Sequence, residues 1–169
     1  MTASVSLSIG LTEPIGDWRT LVNSVRSWLN RSEEDLSDTQ VTEFIALAEA
    51  EFNRVLRVPE MDEVSVATIG VGNVALPSDF LAAQSIFHKT RELGQTTTIA
   101  LIRKYGDVLA DPLQYCILDG TPRRIRLGPQ PKEDIELTLI YYKKIEGISE
   151  NNPDNWLLND HPDIYLWAT

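Results

Sequence analysis

The stretch NNPDNWLLNDHPDIYLWAT, residues 151–169, predicts a short helix with an aromatic end. Pro162 stands at a first-turn position of that helix, where the missing N–H of proline removes no hydrogen bond. A helix over residues 162–169 covers only about two turns, fewer than the ~11 residues of an average globular helix. It ends on aromatic side chains without a capping residue. We therefore expect either that the helix continues beyond Thr169 or that this end packs against another chain.

Two amphipathic helices are predicted near the other end of the chain. Asp17 is a suitable N-cap, and apolar residues recur at helical spacing over residues 18–29. Ser37 and Gln40 form a capping box ahead of a second apolar stripe, which runs to about Leu56. The short polar loop between these helices favours an antiparallel hairpin. We expect one bundle core to bury four aromatic side chains, those of Trp18, Trp28, Phe44 and Phe52.

After Pro59 the apolar pattern changes from a helical period to the alternation that is typical of strands. Residues 70–73 have the composition of a turn, so the strands on either side are predicted to form a hairpin, and residues 119–122 mark a second hairpin. One helical turn is predicted at residues 77–80 and a short helix at 98–109. The predicted strands cover residues 64–69, 74–76, 84–89, 113–118, 123–127 and 135–143.

The order of these elements predicts an α+β fold, in which helical segments at both ends of the sequence flank an antiparallel β region. The predicted helical bundle comprises two N-terminal helices and a C-terminal helix, within residues 17–58 and 153–169. The inserted antiparallel β domain covers residues 59–152 and contains one short helix. Residues 1–16 precede the bundle as a strand-like arm.

The arm has the two-residue alternation of a half-buried strand. Residues 2–8 carry no charge, and the apolar side chains of the arm are those of Val5, Leu7, Ile9 and Leu11. A single strand is not stable alone and needs a sheet edge to pair with. We expect the arm to complete the sheet edge of another copy, so that deletion of residues 1–12 leaves the fold intact but weakens assembly.

The composition excludes several classes of function. The net charge of −10 argues against nucleic-acid binding by charge neutralisation, which requires a basic face. Cys116 is the only cysteine, so it cannot form an intrachain disulfide, and its apolar neighbours predict a small core residue. One cysteine and two histidines are too few for a structural zinc site. The sequence has neither a signal-peptide pattern nor a membrane-spanning apolar stretch, which predicts a protein made in a reducing cytosol.

The sequence also contains no recognisable motif for catalysis or cofactor binding. Gly70 and Gly72 lie in a turn that lacks the lysine and the following helix of a phosphate-binding loop. His88 and His161 belong to no nucleophile motif, and we expect both to be structural or exposed. The sequence therefore predicts no cofactor, no metal and no enzymatic activity.

Four blocks of sequence follow one another in a specific order and spacing, and together they cover most of residues 28–166. The first block comprises residues 28–31 and 44–61, and the second comprises residues 74–81. The third comprises residues 120–123 and 127–131, and the fourth comprises residues 141–144, 152–158 and 161–166. In these blocks the chain resembles the head-to-tail adaptor (connector) proteins of tailed bacteriophages. The resemblance implies a helical bundle that carries an inserted antiparallel β domain, in agreement with the fold predicted above.

The resemblance also implies a structural virion protein that forms a ring under the portal, extends the DNA channel and provides the platform for tail attachment. The implied partners are the portal protein, tail or nozzle and tail-completion proteins, and copies of the same chain in a homo-oligomeric ring, a dodecamer that matches the portal. Genomic DNA would cross the lumen without specific binding, and the protein would lie in the virion neck after assembly in the host cytoplasm.

The candidate contact residues combine the apolar arm with the aromatic C-terminal segment. They are Val5, Leu7, Ile9, Leu11, Trp156, Tyr165 and Trp167. Two alternatives stay open at this point: a tail-associated cell-wall hydrolase, whose carboxylate pair can be judged only by a distance in space, and a generic cytosolic α+β interaction module.

Overall fold

The computed structural model describes residues 14–169 of the 169-residue chain. The predicted arm residues Val5, Leu7, Ile9 and Leu11 lie outside the described residues. Backbone contacts divide the described chain into two compact units. The helical unit comprises the described residues up to Leu56 together with Ile145–Thr169, and the β unit comprises Arg57–Lys144.

The described chain contains the predicted helices and strands together with one short helix and two short strands that the sequence does not predict. The helices are α1 (Trp18–Leu29), α2 (Asp38–Val55), α3 (Thr98–Tyr105), α4 (Trp156–Asp160) and α5 (Pro162–Ala168). The strands are β1 (Asp62–Ile69), β2 (Asn73–Ala75), β3 (Phe80–His88), β4 (Arg91–Glu92), β5 (Gly94–Gln95), β6 (Gln114–Leu118), β7 (Arg124–Gly128) and β8 (Ile135–Lys143), and a 3₁₀ turn at Pro59–Met61 precedes β1. The unpredicted elements are α4, β4 and β5, and the prediction of an α+β fold is confirmed.

Both N-terminal helices begin at the capping residues that the sequence indicates. The Asp17 carboxylate accepts a hydrogen bond from the Thr20 N–H at 2.7 Å, which satisfies one of the unpaired donors at the start of α1. At the start of α2 the Gln40 side-chain oxygen accepts the Ser37 N–H at 3.0 Å, and the Ser37 hydroxyl accepts the Gln40 N–H at 3.4 Å. The predicted capping box is therefore confirmed.

The core of the helical unit buries only two of its four predicted aromatic residues. Trp18 and Phe52 are buried, whereas Trp28 is 63% exposed and Phe44 is 41% exposed. Phe44 lies about 60° from Val41 around α2, on the flank of the buried stripe. Trp28 lies in the last turn of α1, just before the left-handed cap residue Asn30. The prediction that Trp28 and Phe44 are core residues is therefore wrong.

The β unit contains two four-stranded sheets rather than one. The strand order is β1-β8-β3-β4 in the first sheet and β2-β7-β6-β5 in the second. The strand pairs are antiparallel apart from the short pairing of β5 with β6, which is parallel. The buried side chains of both sheets form one apolar cluster, which includes Leu137, Leu139 and Tyr141 on one face of β8.

The predicted hairpin between β1 and β2 is wrong, because these strands belong to different sheets. β1 pairs along its whole length with β8, from Asp62 opposite Tyr142 to Ile69 opposite Ile135. β2 has only three residues and pairs with β7. Pairing with β8 gives β1 a full ladder of backbone hydrogen bonds, which the three residues of β2 could not provide. The hairpin predicted at residues 119–122 is confirmed by the pairing of β6 with β7.

Two boundaries also differ from the sequence prediction. β3 begins at Phe80, so residues 77–80 form a turn closed by a 3.1 Å hydrogen bond from the Phe80 N–H to the Pro77 carbonyl rather than a helical turn that delays the strand. α3 ends at Tyr105 instead of residue 109, because Gly106 has a positive φ of 53° and leaves the helical conformation.

Candidate functional site

The C-terminal segment of the helical unit forms two short helices that meet at Pro162. Asn155 begins α4, where its side-chain oxygen accepts the Leu158 N–H at 2.9 Å, and Pro162 opens α5 as predicted. Leu157 and Leu158 are fully buried, and α5 packs against both α1 and α2. The segment is therefore attached to the N-terminal helices by an apolar face.

The three candidate aromatic residues of this segment have different environments. Tyr165 is completely buried, Trp156 is half-buried, and Trp167 is 75% exposed. The Tyr165 ring packs edge-on against Phe52 at 5.2 Å between centroids. The Tyr165 side chain lies in the interior of its own unit and cannot contact another chain there. The prediction that Tyr165 is a contact residue is therefore wrong, and its role is internal packing.

A buried polar cluster holds Tyr165 in place. Its hydroxyl donates to the Glu49 carboxylate at 3.1 Å and accepts from the Asn155 amide at 2.7 Å. Glu49 also accepts the Ile148 N–H at 2.7 Å, and Asn155 also donates to the Glu146 carbonyl at 2.7 Å. The cluster thus connects α2 with α4, α5 and the chain that leads into them.

Burial raises the pKa of two groups in this cluster, the Glu49 carboxyl and the Tyr165 hydroxyl. Removal from water raises the pKa of the Glu49 carboxyl, although the hydrogen bonds from Ile148 and Tyr165 partly oppose that shift. Burial likewise raises the pKa of the Tyr165 hydroxyl, and the nearby Glu49 charge raises it further. Sequence reasoning missed Glu49 and Asn155, although the position of Glu49 next to Ala48 on the apolar stripe of α2 was a signal that it is buried.

The surface of the helical unit exposes an aromatic pair. Trp28 of α1 and Trp167 of α5 meet edge-to-face, with 5.4 Å between ring centroids and an interplanar angle of 69°. Leu29, next to Trp28, is also exposed. We call these three side chains the aromatic patch. Trp and other large apolar residues at the surface are typical of sites that bind another protein, where tryptophan contributes most per residue.

The predicted structural residues of the β unit are buried as expected. Cys116 is buried in β6, which confirms its assignment as a small core residue, and His88 is buried at the end of β3. His161 is exposed between α4 and α5. Within residues 14–169, no group of three or more His, Cys, Asp or Glu side chains is placed to hold a metal ion. No helix in this part of the chain is both long and apolar enough to span a bilayer.

The whole described region apart from residues 14–16 also matches a known family. The family model of the SU10 adaptor protein matches residues 17–169, which include both units. No curated protein matches the chain. The family match agrees with the resemblance to head-to-tail adaptor proteins that the sequence blocks indicate. The chain therefore belongs to the SU10 adaptor protein family, a family of bacteriophage adaptor proteins.

Proposed function

We propose that the protein forms a homo-oligomeric ring, a dodecamer, that docks under the portal vertex, extends the DNA channel and presents the platform to which the tail attaches. The observation that carries this proposal is the match to the adaptor family over residues 17–169. The proposed partners are the portal protein, tail or nozzle and tail-completion proteins, and further copies of the chain. The proposed location is the virion neck, after assembly in the host cytoplasm.

The aromatic patch supports a role in protein contacts. A tryptophan buried at an interface removes a large apolar area from water, at roughly 25 cal/mol for each Å². Trp28 and Trp167 are both more than half exposed, so most of their surface is still available for such burial. We propose that the aromatic patch is a contact of the helical unit within the neck assembly.

The charge of the chain supports the proposed passage of DNA. With a net charge of −10 per chain, a ring of many copies carries a strongly negative potential, which repels the phosphates of the genome. DNA can therefore cross the lumen without being held. Repulsion that arises from the net charge requires no specific DNA-binding residue, in accordance with a structural rather than a catalytic role.

Electron microscopy of purified portal tests the proposal directly. Portal should gain an additional ring of density when the full-length protein is added, and symmetry analysis should give the same rotational order as the portal. The variant Trp28→Ala with Trp167→Ala should show weaker ring formation. Leu47→Ala is the matched control, because Leu47 is an exposed apolar residue on α2 of the same unit but outside the aromatic patch.

One result would refute the proposed ring, and another would refute only the role of the aromatic patch in it. Portal that shows no added density at any ratio of the two proteins would refute the role as a ring adaptor. Rings that form equally well with the double tryptophan variant and with Leu47→Ala would retain the ring but remove the aromatic patch from its contacts.

A further inference from the structure

The β unit contains an open apolar cleft between its two sheets. The volume of the cleft is about 240 Å³, and its walls include Ala67 and Ile69 of β1, Val74 of β2, Leu76 just after β2, and Leu137 of β8. A cavity of ~150 Å³ lined by aliphatic side chains is enough to bind benzene. The cleft is therefore large enough to receive apolar side chains from an additional segment.

One wall of the cleft is an edge strand whose cleft-lining part, residues 65–69, carries no charge. β1 pairs with β8 on one side, and no described strand pairs with its other side. Edge strands are commonly protected by lysine, proline or a bulge. The eight residues of β1 contain no lysine and no proline, their two charges, Asp62 and Glu63, stand at its first two positions, and the register with β8 has no irregularity. The backbone groups along this edge are therefore suited to pairing with one more strand.

The position of the cleft determines which side chains of an added strand would be buried. Ser65, Ala67 and Ile69 share the inner face of β1 and line the cleft. Ala67 is nevertheless exposed, so the cleft is open to solvent beside the free edge. A strand next to β1 would direct every second side chain into the cleft and the others toward solvent.

The N-terminal sequence has the pattern that this edge requires. Val5, Leu7, Ile9 and Leu11 alternate with Ser6, Ser8 and Gly10, so one face of a strand would be apolar and the other small and polar. At ~3.3 Å per residue, an eight-residue strand such as β1 is roughly 26 Å long, which residues 4–11 would match. Residues 2–8 carry no charge, so their burial would not require desolvation of an ion.

We propose that residues 2–11 of one copy pair with β1 of a neighbouring copy and place their apolar side chains in its cleft. The inference rests on the proposed ring, in which each copy would donate one arm and receive another. Because donor and acceptor are different surfaces of the chain, the contact is heterologous and forms a closed ring when the rotation between copies permits it.

Disulfide trapping between full-length copies tests this pairing. One preparation carries Ala67→Cys, and each of a second series carries one cysteine at position 5, 6, 7, 8 or 9 of the arm. After mixing, assembly and mild oxidation, a product of twice the 19.0 kDa chain mass should appear on a non-reducing gel. The native Cys116 is buried and should not form disulfides between chains. Oxidation of each single-variant preparation alone measures the background of dimers that do not join the arm to β1.

The expected result is a two-residue period in the yield. Val5→Cys, Leu7→Cys and Ile9→Cys should as a group give about tenfold more product than Ser6→Cys and Ser8→Cys, because a disulfide needs Cβ atoms ~3.5–4.5 Å apart. Thr68→Cys is the matched acceptor control, because Thr68 neighbours Ala67 but lies on the opposite face of β1. With this acceptor the preference should reverse to the two serine positions.

Other outcomes separate the inference from the proposed function. Equal yields at all five positions, or no product from rings that microscopy shows to be assembled, would refute the arm pairing and leave the ring in place. A chain with both Leu7→Cys and Ala67→Cys that closes on itself at every dilution would show that the arm occupies its own cleft, which also overturns the inference. A periodic pattern without any ring on portal would refute the proposed function but retain strand exchange between copies.

Discussion

The substitution Tyr165→Phe isolates the contribution of the buried polar cluster to the stability of the helical unit. The change keeps the ring that packs against Phe52 at 5.2 Å and removes only the hydroxyl. Two hydrogen bonds are lost, one to the Glu49 carboxylate and one from the Asn155 amide. Both partners retain another bond, to Ile148 and Glu146 respectively, so neither side chain becomes wholly unpaired.

The size of the effect follows from these two bonds. A hydrogen bond to a charged group contributes about 1.5–3 kcal/mol to stability, and a neutral one about 0.5–1.5 kcal/mol. We therefore expect Tyr165→Phe to lower the free energy of unfolding of the helical unit by about 2–4 kcal/mol. Leu47→Ala in α2 is a suitable control within the same unit and should change its free energy of unfolding by less than about 0.5 kcal/mol, because Leu47 is exposed.

Tryptophan fluorescence during urea unfolding is the appropriate measurement. The four tryptophans, Trp18, Trp28, Trp156 and Trp167, all belong to the helical unit, so their emission reports on that unit and not on the β unit. The midpoint of the transition should shift to lower urea for Tyr165→Phe with an unchanged slope. A midpoint shift for Tyr165→Phe that is no larger than the shift for Leu47→Ala would show that the cluster does not stabilise the unit.

Three further substitutions test other parts of the fold. Trp28→Ala should lower the free energy of unfolding by less than about 1 kcal/mol in the same fluorescence assay, because the indole is 63% exposed; a loss above about 3 kcal/mol would show that it is a core residue. Gly128→Ala should destabilise the β unit by about 1–3 kcal/mol in far-UV circular dichroism, because the new Cβ would lie 2.7 Å from Leu101, and an unchanged melting curve would contradict this overlap. Glu49→Gln should remove part of the pH dependence of stability. Burial raises the folded-state pKa of Glu49 above 4.5, so the folded state binds the extra proton and the wild type gains stability as the pH falls from neutral toward 4.5. Urea titrations of both proteins across this range should show the wild type gaining stability relative to Glu49→Gln as the pH falls, and parallel curves would refute it.

The local features of the fold could be predicted because their causes lie within a few residues of each other. Asp17 and Ser37 accept hydrogen bonds from residues three positions later, so the helix starts are encoded in short segments. The hairpin at residues 119–122 likewise depends on its own turn and on the two strands next to it. The strand predicted at residues 135–143 is likewise present as β8, because alternation of side chains along one segment is a local pattern.

The non-local features were decided only by the tertiary structure. β1 pairs with the distant β8, from Asp62 opposite Tyr142 to Ile69 opposite Ile135, and not with the nearby β2, because pairing depends on the full ladder and on the buried face that it completes. The same reasoning applies to the aromatic residues: Trp28 and Tyr165 both lie on apolar helix faces, yet one is exposed and the other fully buried. Periodicity indicates which face of a helix is apolar. Whether a given residue on that face is buried depends on where the neighbouring helices begin and end. The sequence alone thus predicts the α+β class and the longer helices and strands, whereas tertiary packing determines which apolar surfaces are buried and which stay exposed.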